Sequence, residues 1–131
     1  MSESDDFILN WGVVGSGLIA HDFCTAIKSS GSNLHVLKSV AALTLDEAND
    51  FACEFNIPKK YWSFDQIFSD PDVDIIYVAT INRTHRDFCL KAINAGKHVL
   101  CEKPMCLSLI EQEEILTAAK EKNVFFMEVG N

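Results

Sequence analysis

The chain has 131 residues, 48% of them hydrophobic and 23% charged, the balance of one folded domain with a real core rather than a disordered segment. Its formal charge of −8 argues against a general polyanion binder, since nucleic-acid backbones are held by clustered Lys and Arg, but leaves open a small anionic cofactor held by backbone N–H groups. The apolar stretches are too short and interrupted to cross a bilayer, and the cysteines (Cys24, Cys53, Cys89, Cys101, Cys106) are odd in number with no CxxC, which fits reduced thiols and a cytoplasmic protein.

In chain order, the acidic start "MSESDDF" (1–7) lacks the basic-then-apolar order of a secretory signal and reads as a disordered tail before a domain over 8–131. "ILNWGVV" (8–14) reads as a strand, and Leu18, Ile19, Phe23, Ala26 and Ile27 then recur at helical spacing until "GSN" (31–33) breaks the helix. "LHVLKSVAAL" (34–43) is a second strand. Thr44 and Glu47 form a T-x-x-E capping box for a helix striped by Ala48, Phe51, Ala52 and Phe55. "YWSFDQIFSDPDV" repeats the strand–helix signal in miniature, with Ser63 and Gln66 as caps and "DPD" (70–72) as a turn. "DIIYVAT" (74–80) is a near-continuous apolar strand of the kind buried on both faces. Phe88, Cys89, Ala92 and Ile93 stripe the next helix, which Gly96 ends. "KHVLCE" (97–102) is a strand, Ser108 and Glu111 cap a helix to about Lys122, and "VFFME" (124–128) is the last strand.

Strand–helix alternation throughout predicts an α/β fold, a doubly wound sheet of parallel strands joined by right-handed crossovers. Ligands bind such sheets beyond the carboxyl ends of the strands. Chemistry is therefore expected just after each strand, over 15–20, 43–47, 80–85 and 102–104.

Gly15-Ser16-Gly17-Leu18-Ile19-Ala20 is G-x-G-x-x-A between the first strand and first helix. The first glycine allows the tight turn, the second lets a pyrophosphate approach the backbone, and the small third residue permits close helix packing. After the second strand, "LTLDE" (43–47) holds no Lys or Arg, which favours the 2′-hydroxyl of NAD over the 2′-phosphate of NADP; Asp46 and Glu47 also suit the helix dipole. "TINRTH" (80–85) leaves two readings open: a turn-folding Asn82 with an exposed His85, or a pair beside the cofactor. In Glu102-Lys103-Pro104 the proline restricts Lys103 to extended backbone and gives its amine a fixed direction, although a surface lysine is the plainer alternative. To serve alcohol oxidation, that amine must lose its proton through partial burial and act as base, or stay charged and orient the oxygen.

"WGVVGSGLIAHDF", "VATINRTH", "AGKHVLCEKPM" and "FFME", in this order and spacing, resemble the N-terminal half of the Gfo/Idh/MocA oxidoreductases, within them the branch of dimeric dihydrodiol and D-xylose dehydrogenases. The likeness runs from about Leu9 to Glu128. It implies a Rossmann domain of an NAD(P)-dependent dehydrogenase, with the glycine loop at Gly15, Gly17 and Ala20, the family's Asn and His at Asn82 and His85, its E-K-P lysine near nicotinamide and substrate at Lys103, and its often cis proline at Pro104. The expected cofactor-binding set is Gly15, Ser16, Gly17, Leu18, Ile19, Thr44, Thr80, Asn82, His85, Glu102 and Lys103, with Lys103 catalytic and no metal. The branch suggests NADP, whereas Leu43 stands here in place of its usual Arg, so both cofactors stay open. Family members continue into a second α/β domain that supplies the substrate pocket, the dimer surface and a further acid/base residue. The sequence ends at "MEVGN". The expectation is thus the nucleotide-binding half of an enzyme that oxidises a secondary alcohol of a D-xylose-like sugar or a trans-dihydrodiol, with little or no activity alone and a homodimer only in a full-length form. The alternatives are an NAD(P)-binding module without catalysis, or an unstable truncation with apolar surface uncovered.

Overall fold

The computed structural model describes residues 7–129; apart from Phe7, the expected acidic tail lies outside the described residues. Six parallel strands form one sheet: β1 (Leu9–Val14), β2 (His35–Ala41), β3 (Lys59–Tyr61), β4 (Ile75–Val78), β5 (His98–Cys101) and β6 (Phe126–Glu128). Their spatial order is β3-β2-β1-β4-β5-β6. The helices are α1 (Leu18–Ser29), α2 (Leu45–Phe55), α3 (Asn82–Asn94) and α4 (Leu109–Lys122), with a 3₁₀ turn at Gln66–Ser69. The chain winds outward from β1 in one direction and from β4 in the other. These two adjacent strands are the switch point where a doubly wound sheet opens a crevice.

Burial explains the order. All four residues of β4 are buried, as a central strand between two helical layers requires. On one face Trp11, Val13, Leu37, Val40 and Tyr77 meet Cys24, Phe51 and Phe55 of α1 and α2. On the other, Val14, Ile76, Val78 and Val99 meet Cys89, Ala92, Ile93 and Ile115 of α3 and α4. Among the described residues, no helix is long and apolar enough to cross a membrane.

Two expected caps form. Thr44 Oγ1 accepts from the Glu47 N–H at 3.1 Å, and Ser108 Oγ accepts from the Glu111 N–H at 3.2 Å while Glu111 Oε1 accepts from the Leu107 N–H at 3.2 Å. Gly96 follows the end of α3 at φ 80°, as expected of a C′ glycine. The expected Ser63 cap does not form. The short turn starts at Asp65 with no side-chain cap and is held instead by the buried Ile67 and Phe68. The last strand is shorter than "VFFME" implies, because the Val124 N–H closes α4 on the Ala119 carbonyl at 3.0 Å and the Phe125 N–H goes to His98 Nδ1 at 2.9 Å.

Candidate functional site

β1 runs into Gly15, whose N–H is bonded to the Ala41 carbonyl at 2.9 Å and whose φ is 112°. A Cβ here would stand 2.8 Å from the Ala79 carbonyl oxygen, so this turn admits only glycine. Gly17, the N-cap of α1, is different. Its backbone is ordinary extended chain, and a Cβ would meet no protein atom within 4 Å. The protein's own packing therefore demands glycine at 15 but not at 17. What Gly17 borders is the crevice, where a missing side chain leaves room for a ligand against the backbone. Helix α1 has neither a side-chain cap nor an acidic residue in its first turn, whereas Thr44 and Ser108 cap α2 and α4. Its first N–H groups, like those of α3, have no side-chain cap and are open to an anion.

The crevice has a volume of about 540 Å³. Gly15, Ser16, Gly17, Leu18 and Ile19 form one wall, Ala79, Thr80, Ile81 and Thr84 a second, and Leu43, Glu47, Phe64 and Phe88 the remainder. Leu18, Leu43 and Ile81 are largely exposed at its rim, apolar surface that a flat ligand ring would cover. The residues present fit a dinucleotide: a cradle of backbone and small side chains at an uncapped helix start, with apolar walls on either side.

Of the expected residues, the structure brings Gly15, Ser16, Gly17, Leu18, Ile19 and Thr80 together around this space. Thr44 lies between two lining residues with its hydroxyl committed to capping α2. Asn82, His85, Glu102 and Lys103 stand outside the lining set. The turn after β4 is folded by Thr84, which donates to the Ile81 carbonyl at 2.6 Å and shares a 2.6 Å hydrogen bond with Thr80, rather than by Asn82, which begins α3 exposed. His85 is not the exposed histidine of the plainer reading. It is 1% exposed, with Nδ1 2.7 Å from the Pro104 carbonyl and Nε2 2.8 Å from that of Thr80.

The Glu102-Lys103-Pro104 turn follows β5 as expected, and its Lys103–Pro104 peptide is cis. The Glu102 carboxylate accepts from the Tyr77 hydroxyl at 2.5 Å, and burial together with that carboxylate holds the tyrosine's pKa above its usual range. Lys103 itself is exposed, so the partial burial required of a base does not come from the described residues. The expected binding set omits Leu43, Glu47, Ile81 and Thr84, although they fall in the strand-end stretches 43–47 and 80–85, while Phe64, Ala79 and Phe88 lie outside those stretches. Phe64 was within reach of the strand-end rule, since it follows β3; Phe88 was hidden by its place in a core stripe.

Fold and crevice together define a nucleotide-binding Rossmann domain. The chain belongs to the Gfo/Idh/MocA oxidoreductases: the family model described as "Oxidoreductase family, NAD-binding Rossmann fold" matches residues 9–129. Trans-1,2-dihydrobenzene-1,2-diol dehydrogenase of Mus musculus is 44% identical over 120 residues, covering 92% of this chain and 36% of that protein. Levoglucosan dehydrogenase, solved with NADH, superposes with a TM-score of 0.82 at 29% identity, over 92% of this chain and 34% of that one. Biliverdin reductase from Synechocystis, solved with biliverdin and NADP+, does so with a TM-score of 0.84 at 27% identity, over 92% and 37%. The chain thus spans about a third of the length of the relatives it matches.

Proposed function

We propose that these 131 residues are the cofactor half of a dehydrogenase that oxidises a secondary alcohol of a D-xylose-like sugar or a trans-dihydrodiol, and that they prefer NAD to NADP. The observation that carries the binding reading is the contrast between Gly15, required by packing, and Gly17, which packing leaves free and which lines the crevice. The pyrophosphate would lie on the Ser16–Ile19 backbone at the start of α1. Glu47 and Leu43 carry the cofactor preference. A carboxylate among the crevice residues, with no Lys or Arg among those lining it, suits a ribose 2′-hydroxyl and repels a 2′-phosphate.

Bound nicotinamide would supply the hydride acceptor. The chain's own part is positional: Thr80 and Ile81 border the far end of the crevice, and Lys103 projects from the neighbouring turn, where its charge can orient a substrate hydroxyl. In isolation the chain is expected to bind cofactor with little or no turnover, and a homodimer is expected only of a form as long as the relatives. Five free cysteines, three of them buried, accord with a cytoplasmic setting.

Titration with NADH and NADPH, followed by nicotinamide fluorescence, tests this. NADH is expected to bind at least about tenfold more tightly, a difference of ~1.4 kcal/mol. Glu47→Arg should narrow or reverse the ratio. Binding of neither dinucleotide would end the reading; equal binding of both would end the NAD preference alone.

A further inference from the structure

The two ring nitrogens of His85 both face carbonyl oxygens, Nδ1 at 2.7 Å from Pro104 and Nε2 at 2.8 Å from Thr80. A carbonyl only accepts. A neutral imidazole has one N–H and one lone pair, so it can satisfy one of these oxygens and must set its lone pair against the other. Only the imidazolium donates to both. We propose that His85 is a buried imidazolium clamping the turn after β4 to the turn after β5, and so a positioning residue for Lys103. The second half rests on the dehydrogenase reading; the charge state does not.

The clamp joins the two turns beyond the point where β4 and β5 stop pairing, at Val78 and Cys101. Thr80 ends the wall formed by the turn after β4, and Pro104 directly follows Lys103. The other ties on the Lys103 turn run elsewhere: the Glu102 N–H to the Val78 carbonyl at 2.9 Å, the Glu102 carboxylate to Tyr77, and the Met105 N–H to Glu128 Oε2 at 2.8 Å. These fix the height of the turn against the sheet. His85 fixes its distance from the crevice wall.

The surroundings agree in sign. Burial pushes the His85 pKa down, but the hydrogen bond and charge of Cys101, with the Pro104 and Thr80 carbonyls, outweigh it and lift the value to about 9. Cys101 of β5 moves the opposite way. The hydrogen bond from Cys89 of α3, opposed by burial and joined by His85, lowers it, while Glu128 of β6 raises it. Cys89 itself is pushed well up by Cys101 and burial, with Cys106 adding to the shift. The shifts of His85 and Cys101 thus run in opposite directions, each favouring the charged form of the other. The N-terminal end of α3 opposes the charge on His85, whereas Arg86 on the same helix is paired with Asp87 and Glu114.

Long-range proton–nitrogen correlation spectra of the labelled 131-residue chain read the charge directly, with His85→Gln assigning the signals. Both His85 nitrogens should be protonated at pH 7 and titrate only near pH 9. A neutral tautomer at pH 7 overturns the proposal. Amide resonances of Thr80, Ile81, Glu102 and Met105 should shift together with the ring as it loses its proton; if they stay fixed, His85 is charged but positions nothing. Because these readouts need no cofactor, a parallel failure of NADH to bind would strike the dehydrogenase reading without touching the clamp.

Discussion

A methyl group added at Gly15 and one added at Gly17 meet opposite surroundings, and the difference separates folding from binding. At Gly15 the backbone lies at φ 112° and the new carbon would press on the Ala79 carbonyl at 2.8 Å. Gly15→Ala is therefore expected to destabilise the fold by about 1–3 kcal/mol, visible as a fall of several degrees in melting temperature. At Gly17 nothing in the protein is struck. Gly17→Ala should keep stability within about 1 kcal/mol, the scale of a cap change, and weaken NADH at least about tenfold by intruding on the pyrophosphate path. Melting curves and NADH titrations of both variants check this; wild-type NADH affinity in Gly17→Ala would remove the loop from the binding site. The motif spacing made both glycines legible as a pair, since the first follows a strand and the second opens a helix. It could not show that one serves the chain and the other the ligand, because that depends on Ala79, a residue far away in sequence.

Between elements, Asp70 joins more of the sheet than its place in a turn suggests. It is 2% exposed and accepts from Ser39 Oγ at 2.9 Å, the Tyr61 hydroxyl at 2.9 Å, Lys59 Nζ at 3.1 Å and the Asp72 N–H at 2.9 Å. Its carbonyl also accepts from the buried Lys97 Nζ at 2.6 Å, so β2, β3 and the start of β5 converge on it. Burial raises the Asp70 pKa, but the Asp72 N–H, Lys59, Tyr61 and Ser39 hydrogen bonds prevail and bring it to about 2. A carboxylate with a lowered folded value adds stability that is complete above its unfolded value, near about pH 4, and is lost as pH falls through about 2. Wild-type stability should decline across that window. Asp70→Asn should be less stable at pH 7 by on the order of 2 kcal/mol and decline less steeply, as denaturant melts from pH 2 to 7 would show; an unchanged acid slope would count against the network. The alternation of elements was legible because each strand and helix writes its own period. "DPD" was legible only as a turn, because three of its partners lie in strands that the fold brings to it. The cluster of His85, Cys89 and Cys101 escaped for the same reason: the three are apart in sequence, and the fold brings Cys89 to Cys101 across the gap between helix and strand.

At the scale of the whole molecule the sheet has two edges, and they are protected unequally. β3 ends one side with Lys59 and Lys60, charges that discourage another strand from pairing there. β6 ends the other side as Phe-Met-Glu, with Phe125 and Met127 exposed. Phe126 packs against the α3 and α4 layer, so by strand alternation Met127 stands on the opposite face, beside its register partner Leu100. Helices α1 and α2 cover that face over β1 and β2 but leave Met127 49% exposed. An edge that the described residues leave uncovered, next to an apolar face, is a site of non-specific self-association. The isolated chain is therefore expected to gain apparent mass with concentration in light scattering, by open-ended association at this edge rather than as the defined homodimer expected of a longer form. Fully burying a Met side chain is worth about 1.5–3 kcal/mol and Met127 has about half of its surface left to bury, so Met127→Lys, which removes it and adds a charge at the edge, should weaken association by roughly 3- to 10-fold. NADH titration distinguishes this from unfolding, because the crevice lies across β1 and β4, away from β6, and its affinity should survive the substitution. A wild-type chain that stays monomeric at high concentration, or a Met127→Lys variant that associates equally well, would show that this edge is not where the molecule is exposed to its own kind.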